Sequence, residues 1–492
     1  MFVATAIALG HEVLVRELAA YLDPGFGPSR ALAAGGGSAA LVLGALGARK
    51  IRAPQRSLGW LLVALSAAAM TAPFLLFWSF ARSGFAVAAF AVPIVAGGLL
   101  GATLEAARAA LGRTVLRLGA IEYLLNPFRL LGLAVVFGGA AAAATLIGLL
   151  RTGAAIGVTL AVLGLWCVPL LEYLERVKVE GAHRQRAAAG ACFALGLSAL
   201  AGAERLVPLK DQAFFEADVV YAEQGPERRL TVVSSQDSFE LFSGHSLRYS
   251  TLDQYRYFEA LVRPALAAVP APKRVLLIGS GDGMAEREIL KHAGVVEVTL
   301  VVADRSLYDL GRRMPWLAAL NEHSLASPRL RLVEADPLPY LEAPQEPFDV
   351  AVVDLPDPEG FAEGKYYTRH FFHLLAKNLR QGGVVGIQTT SAFTTPRCAG
   401  SVVASLRAAG FEVSPYRAPL ATLGEWGFAL AARDRPPRPA RIAAGRFVTG
   451  AVFDAALRPA RDAEPAPDAP PSLLYDQAAV TLFEQEIGAI NP

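Results

Sequence analysis

Several carboxylates in the second half of the chain stand where carboxylates do chemistry. Asp282, Asp304, Asp336 and the pair Asp354 and Asp357 each follow closely on a short apolar run. If those runs are parallel strands of one sheet, the acids share its carboxyl edge. Such a rim can bind a cation and take up a proton. One acid at a strand end is more often a turn former or helix cap; recurrence along successive strands is what favours a site. The segment Asp354-Leu355-Pro356-Asp357-Pro358 is the sharpest part. Asp-Pro alone favours a turn, but this one follows Asp349-Val350-Ala351-Val352-Val353, a strand aimed at the same rim. Asp282 lies inside the run Val275-Leu276-Leu277-Ile278-Gly279-Ser280-Gly281-Asp282-Gly283. Gly279, Gly281 and Gly283 let a backbone approach a nucleotide sugar, and the helix expected over Met284–His292 offers free N–H groups. A phosphate would meet Asp282 as anion against anion. The loop therefore suits a neutral or cationic ligand, such as a sulfonium nucleoside or an amine, rather than NAD or ATP.

The elements that must position these residues read as an alternation. Strands are expected at Val298–Ala303, Leu330–Glu334, Phe348–Val353 and Val384–Thr389, with helices at Tyr366–Leu379 and Pro396–Ala409. Further strands around Glu412–Tyr416 and Trp426–Ala432 close the domain. Strand–helix alternation predicts an α/β doubly wound parallel sheet over 270–435, with its ligand beyond the carboxyl ends of the strands. Ahead of it, 215–265 reads as a small antiparallel β-sheet and a linking helix, Thr251–Ala268. Residues 436–492 read as a Pro/Arg-rich tail with a short amphipathic helix near Leu473–Ile487.

The first half differs in composition. The 492 residues are 53% hydrophobic, with a mean hydropathy of +0.38, and residues 1–204 hold the long runs nearly free of charge. Apolar segments near 2–20, 31–48, 58–81, 84–104, 127–150, 153–175 and 187–203 predict a multi-pass α-helical membrane bundle of about seven spans. The start carries His11, Glu12, Arg16 and Glu17 and reads as a first span rather than a cleavable signal. Loop arginines and lysines alternate so that the N-terminus faces the cytoplasm. The expected location is the bacterial inner membrane, with the lipid bilayer as a partner and the side of the catalytic half left open. A net charge of +2 says nothing about nucleic acid, but no basic–aromatic patch appears and no nucleic-acid partner is expected; the three cysteines have no metal-ligand spacing.

Residues from about 215 to 432 resemble the membrane-attached bacterial polyamine aminopropyltransferases, the spermidine synthases. The matching motifs are Gly279-Ser280-Gly281-Asp282-Gly283 with Arg287-Glu288, Asp354-x-x-Asp357-Pro358, Gln388-x-x-Ser391, Pro415-Tyr416 and Gly424-Glu425-Trp426-Gly427-Phe428. Upstream, Ser250-x-x-Asp253-x-x-x-Tyr257-x-Glu259 is similar to the family's helix before the glycine loop. The resemblance implies a Rossmann-like, methyltransferase-type fold and transfer of an aminopropyl group from decarboxylated S-adenosylmethionine to a diamine such as putrescine. No metal is implied, and a homodimer is left open. Asp354 would accept the amine's proton, Asp282 and Asp357 would hold ammonium groups, and Asp336 would face the adenine. The glycines, Tyr257, Glu259, Gln388 and Tyr416 would complete the ligand site.

Some positions depart from the family pattern. Two glutamines become Arg228 and Arg248, a histidine becomes Phe258, and the ribose-binding glutamate becomes Val302. Asp304 lies on the same strand face roughly 7 Å further along. Paired arginines suit a carboxylate better than a diamine. Three readings therefore stand together. One is an aminopropyltransferase; another is a transferase using S-adenosylmethionine itself with an anionic acceptor; the third is a non-catalytic nucleoside or polyamine sensor.

Overall fold

The computed structural model describes residues 39–51, parts of 57–79, residues 85–111, parts of 183–194, and 211–490 apart from 213, 216, 226–228, 236, 237, 245, 280 and 459. The chain divides into two compact units, Met1–Val219 and Val220–Pro492.

Within the first unit, the helix Phe85–Leu111 contains Pro93. Its small residues serve close packing against the helix at 39–48. A Cβ on Gly101 would come within 1.9 Å of the Leu41 carbonyl oxygen. Among the described residues, no helix is long and apolar enough to cross a membrane. That finding overturns the multi-pass bundle and the multi-pass inner-membrane location read from the sequence. The physical reason lies in composition. Alanine and glycine raise the apolar count, yet a methyl group or a hydrogen contributes little hydrophobic surface, and here they let helix backbones touch. The segments near 2–20, 127–150 and 153–175 lie outside the described residues, as does most of 187–203.

The second unit carries two sheets. The smaller runs in the order β1 (Asp218–Gln224, beginning two residues ahead of the unit), β2 (Arg229–Ser235), β3 (Ser238–Ser243), β4 (Ser246–Ser250), with β2–β3 and β3–β4 antiparallel. The larger has seven strands: β5 (Arg274–Gly279), β6 (Glu297–Val302), β7 (Leu330–Glu334), β8 (Phe348–Asp354), β9 (Leu379–Thr390), β10 (Glu412–Leu420) and β11 (Gly424–Ala432). Their spatial order is β10-β11-β9-β8-β5-β6-β7. The pairings of β5 with β6 and β8, of β6 with β7 and of β8 with β9 are parallel. The last two strands run antiparallel and are long enough to form a hairpin at the edge. This agrees with the doubly wound sheet expected from the alternation of strand and helix.

The central strands read as unbroken apolar runs because both of their faces are covered. Leu277 and Val352 enter one core, Leu276 and Val353 the other. β5 continues into β6 on one side and is flanked by β8 on the other, so the strand order reverses between β5 and β8. Gly279 pairs with Asp354 at that point, which brings the glycine loop and the Asp354 segment together at the carboxyl edge. The chain after 436 packs on both cores: Ile442, Val448 and Phe453 on one, Ala479, Leu482 and Phe483 on the other.

Candidate active site

The glycine loop is shaped by its neighbour across the sheet. Gly279, Gly281 and Gly283 all have positive φ, at 79°, 97° and 93°. A Cβ on Gly279 would lie 2.2 Å from the Asp354 carbonyl oxygen, so only glycine lets β5 end flush against β8. Asp282 is fully buried, and its Oδ1 accepts the Met284 N–H at 2.9 Å, closing a local turn just ahead of the helix Met284–Leu290. One turn on, Glu286 is also fully buried. Burial first, and the Asp282 carboxylate next, push its carboxyl well above the usual range, which favours its protonated form.

Asp354 is 1% exposed at the end of β8, and both of its oxygens are engaged. Tyr257, from the helix Gln254–Ala267, donates to Oδ1 at 2.9 Å. Arg248, from β4, donates through Nη2 to Oδ2 at 3.2 Å. Burial would lower the Arg248 pKa, but the carboxylates of Asp354 and then Asp282 outweigh it and leave the guanidinium more basic than usual. Burial, followed by Asp354, drives the Tyr257 phenol well above its ordinary value.

Asp357 lies beyond the strand, within reach of β9. Gln388 Nε2 donates to its Oδ1 at 3.2 Å and to the Leu355 carbonyl at 2.9 Å. The Gln388 amide oxygen accepts the N–H of Thr390 at 2.8 Å, which helps hold that residue at a φ of 69°. Burial, then Glu359, push the Asp357 carboxyl up to about 7.

At the far side of the rim, Asp336 accepts from Leu338 N at 2.9 Å, Tyr366 OH at 3.1 Å and Lys365 Nζ at 2.5 Å. Burial works to raise its pKa, but Lys365 and the hydrogen bonds outweigh it and keep it below the usual range. Asp304 accepts from the N–H and hydroxyl of Ser306 at 2.8 and 2.6 Å.

A cavity of about 560 Å³ opens between these groups, within the range of small-molecule sites. Of the residues singled out from sequence, Gly279, Asp304, Asp336, Asp354, Val302 and Arg248 line it. Asp282, Tyr257, Asp357, Gln388, Gly281 and Gly283 are not among the lining residues but surround Asp354 and the loop. Glu259 and Tyr416 are held elsewhere. The Glu259 carboxylate accepts the backbone N–H groups of Arg446, Phe447 and Val448 at 2.8, 2.9 and 2.8 Å. The Tyr416 hydroxyl donates to the Ala260 carbonyl at 2.7 Å. Arg228 lies outside the described residues.

The family model for the spermine/spermidine synthase domain matches residues 254–437. Polyamine aminopropyltransferase 2 of Ralstonia nicotianae is 34% identical over 433 residues, covering 87% of this chain and 84% of that protein. This chain belongs to the polyamine aminopropyltransferase family. A polyamine aminopropyltransferase of Mycobacterium tuberculosis is 31% identical over 483 residues, 92% of this chain and 88% of its own. A crystal structure of spermidine synthase from Thermotoga maritima aligns with a TM-score of 0.44 at 19% identity, over 55% of this chain and 88% of that one. Family membership makes the chain a transferase.

Lys365 and Tyr366 also line the cavity and Tyr367 lies beside it, and sequence reasoning missed all three. The Tyr367 hydroxyl accepts from Gln388 at 2.6 Å and donates to the Pro356 carbonyl at 2.8 Å. Within Lys365-Tyr366-Tyr367 nothing local marks a site. The nearest signal is the position of the triplet shortly after Asp357-Pro358, where a chain leaving the rim must turn back.

Proposed function

We propose that the chain transfers an aminopropyl group from decarboxylated S-adenosylmethionine to an amine, with Asp354 as the proton acceptor. The observation that carries this reading is the carboxylate of Asp354, almost without solvent exposure yet lining the cavity at the carboxyl edge of the sheet. An alkylammonium must lose a proton before its nitrogen can attack the carbon next to the sulfonium. The electron pair of the breaking C–S bond then stays on sulfur, leaving methylthioadenosine. The sulfonium loses its charge in that step, so the rim acids serve chiefly to gather and orient cations. Tyr257 and Arg248 fix the rotamer of Asp354, so its lone pairs are aimed before substrate arrives. Asp282 and Asp357 hold ammonium charge, and Asp336 faces the adenine edge beside Tyr366. Because Asp336 is already bonded to Lys365, its contact with a base shares that carboxylate.

The test is methylthioadenosine release from decarboxylated S-adenosylmethionine by the purified chain, with and without added amine. Release should depend on the amine. Asp354→Asn should lower kcat by about 10²- to 10⁴-fold, the usual range for a general base. Amine-dependent release that is undiminished in Asp354→Asn would remove Asp354 from the chemistry.

A further inference from the structure

The stretch from Phe361 to Tyr367 has a front and a back. At the front, Ala362, Glu363, Lys365 and Tyr366 line the cavity, and the last two bond the Asp336 carboxylate. At the back, Gly364 is buried against the start of the helix Ala478–Ile490. A Cβ on Gly364 would stand 2.2 Å from Val480 Cγ2 and 2.4 Å from Gln477 Oε1. The Gly364 backbone is helical, with φ of −57° and ψ of −29°. Its dihedrals would suit any residue, so it is the close approach that requires a glycine. Val480 has little freedom to give way, being 1% exposed and β-branched, with one strongly preferred rotamer in a helix. The helix is tied down independently of this contact. Both Glu486 carboxylate oxygens accept backbone N–H groups at the start of the helix Pro396–Ala408, from Arg397 at 2.9 Å and Cys398 at 3.0 Å. Just ahead of the C-terminal helix, the Ser472 carbonyl accepts the Arg369 N–H at 2.9 Å, and the Ser472 N–H donates to Ser405 Oγ at 2.8 Å. All of these C-terminal residues lie past 437, where the match to the synthase domain ends.

We propose that the helix Ala478–Ile490 is a positioning element for the nucleoside. Through Val480 and Gly364 it sets where Lys365 and Tyr366 stand against Asp336, and so how the adenosine part of decarboxylated S-adenosylmethionine fits. This rests on the reading above, which puts the adenine at Asp336. A wall fixed in place before the ligand arrives does not have to be ordered by it, and affinity rises accordingly. The reacting end of the site is held by other elements. Asp354 is fixed by Tyr257 and Arg248, and Tyr367 ends the stretch on bonds to Pro356 and Gln388. Displacing the wall therefore weakens nucleoside binding and leaves the proton transfer at Asp354 in place.

The test compares the wild type, Gly364→Ala, and Gly364→Ala combined with Gln477→Gly and Val480→Ala. Alanine suits the Gly364 backbone, and glycine suits Gln477, whose φ is 43°. The triple variant thus restores the room without backbone strain. Methylthioadenosine release gives kcat and the KM values for decarboxylated S-adenosylmethionine and putrescine, while calorimetry gives the Kd of methylthioadenosine without turnover. Gly364→Ala should raise the KM for decarboxylated S-adenosylmethionine and the Kd of methylthioadenosine about tenfold, as a small displacement of a binding wall does. Its kcat and its KM for putrescine should stay within about threefold of the wild type, and the triple variant should recover both nucleoside constants to the same margin. A brace serving stability alone would lower the urea midpoint of Gly364→Ala and leave the nucleoside constants unchanged. That result overturns the proposal, as does a triple variant that folds without recovering them. If Gly364→Ala does not fold, Val480→Ala decides. It withdraws the support and should raise the Kd of methylthioadenosine about threefold, whereas an unchanged Kd overturns the proposal. Methylthioadenosine binding that responds to these variants as expected, with no release from decarboxylated S-adenosylmethionine by any amine, overturns the transfer reading and supports the brace.

Discussion

At the scale of single residues, Asp354 and Asp357 divide the work through their surroundings. Asp354 is held by one cation and one phenol. Among the described residues Asp357 has an amide, that of Gln388, as its side-chain partner, and its carboxyl is pushed up to about 7 by burial and then by Glu359. A carboxyl raised in the folded state keeps its proton where the unfolded chain has lost it. Its contribution to stability is therefore full below the ordinary aspartate value and is lost as pH rises through about 7. Ammonium binding has the opposite sense, because only the ionised form attracts a cation. On the proposed reading, KM for the amine falls about tenfold between pH of roughly 6 and 8, while alkylammonium groups stay protonated throughout. Asp357→Asn should flatten that limb. A wild-type KM that does not change over this range would detach Asp357 from amine binding.

At the scale of elements, the helix Gln254–Ala267 serves two masters. Tyr257 points to Asp354, whereas Glu259 fastens the chain at 446–448 through backbone N–H groups. The fit leaves no slack, since a Cβ on Gly445 would meet Glu259 Oε2 at 2.1 Å. The resemblance put Glu259 with the ligand residues, but its contacts describe a clasp between the helix and the C-terminal segment. Glu259→Ala leaves those donors without a buried acceptor and should cost about 2–4 kcal/mol of stability, read from urea unfolding. KM for decarboxylated S-adenosylmethionine should stay within about twofold of the wild type. Lost turnover at unchanged stability would return Glu259 to the chemistry.

At the scale of the whole molecule, what could be read in advance followed from local pattern. Val275–Ile278 announce a strand covered on both faces, and a glycine loop behind it announces the edge where acids gather. The long-range partners carry no such signature. Arg248 belongs to a short polar strand, and only folding brings it 3.2 Å from Asp354. Lys365 looks like an ordinary surface lysine until it meets Asp336. The segment 436–472 reads as a tail because prolines and arginines dominate it, although Val448 and Phe453 enter the core. In the described part of the first half, small residues such as Gly101 serve helix contact, which a count of apolar residues does not distinguish from a span.

The small sheet meets the larger domain in one contact that brings its own signal. Phe239 of β3 stacks on Trp316 of the helix Pro315–Leu320, with ring centroids 5.0 Å apart and planes at 23°. The same sheet supplies Arg248, Ser243 and Leu230 to the cavity wall. Any ligand that draws the sheet inward must alter how that indole is shielded from water. Trp316 is therefore a native fluorophore for site closure. Its emission should shift on ligand binding, and Phe239→Ala should abolish the change without touching a cavity-lining residue. The enzyme can thus be titrated optically, with no label and no turnover.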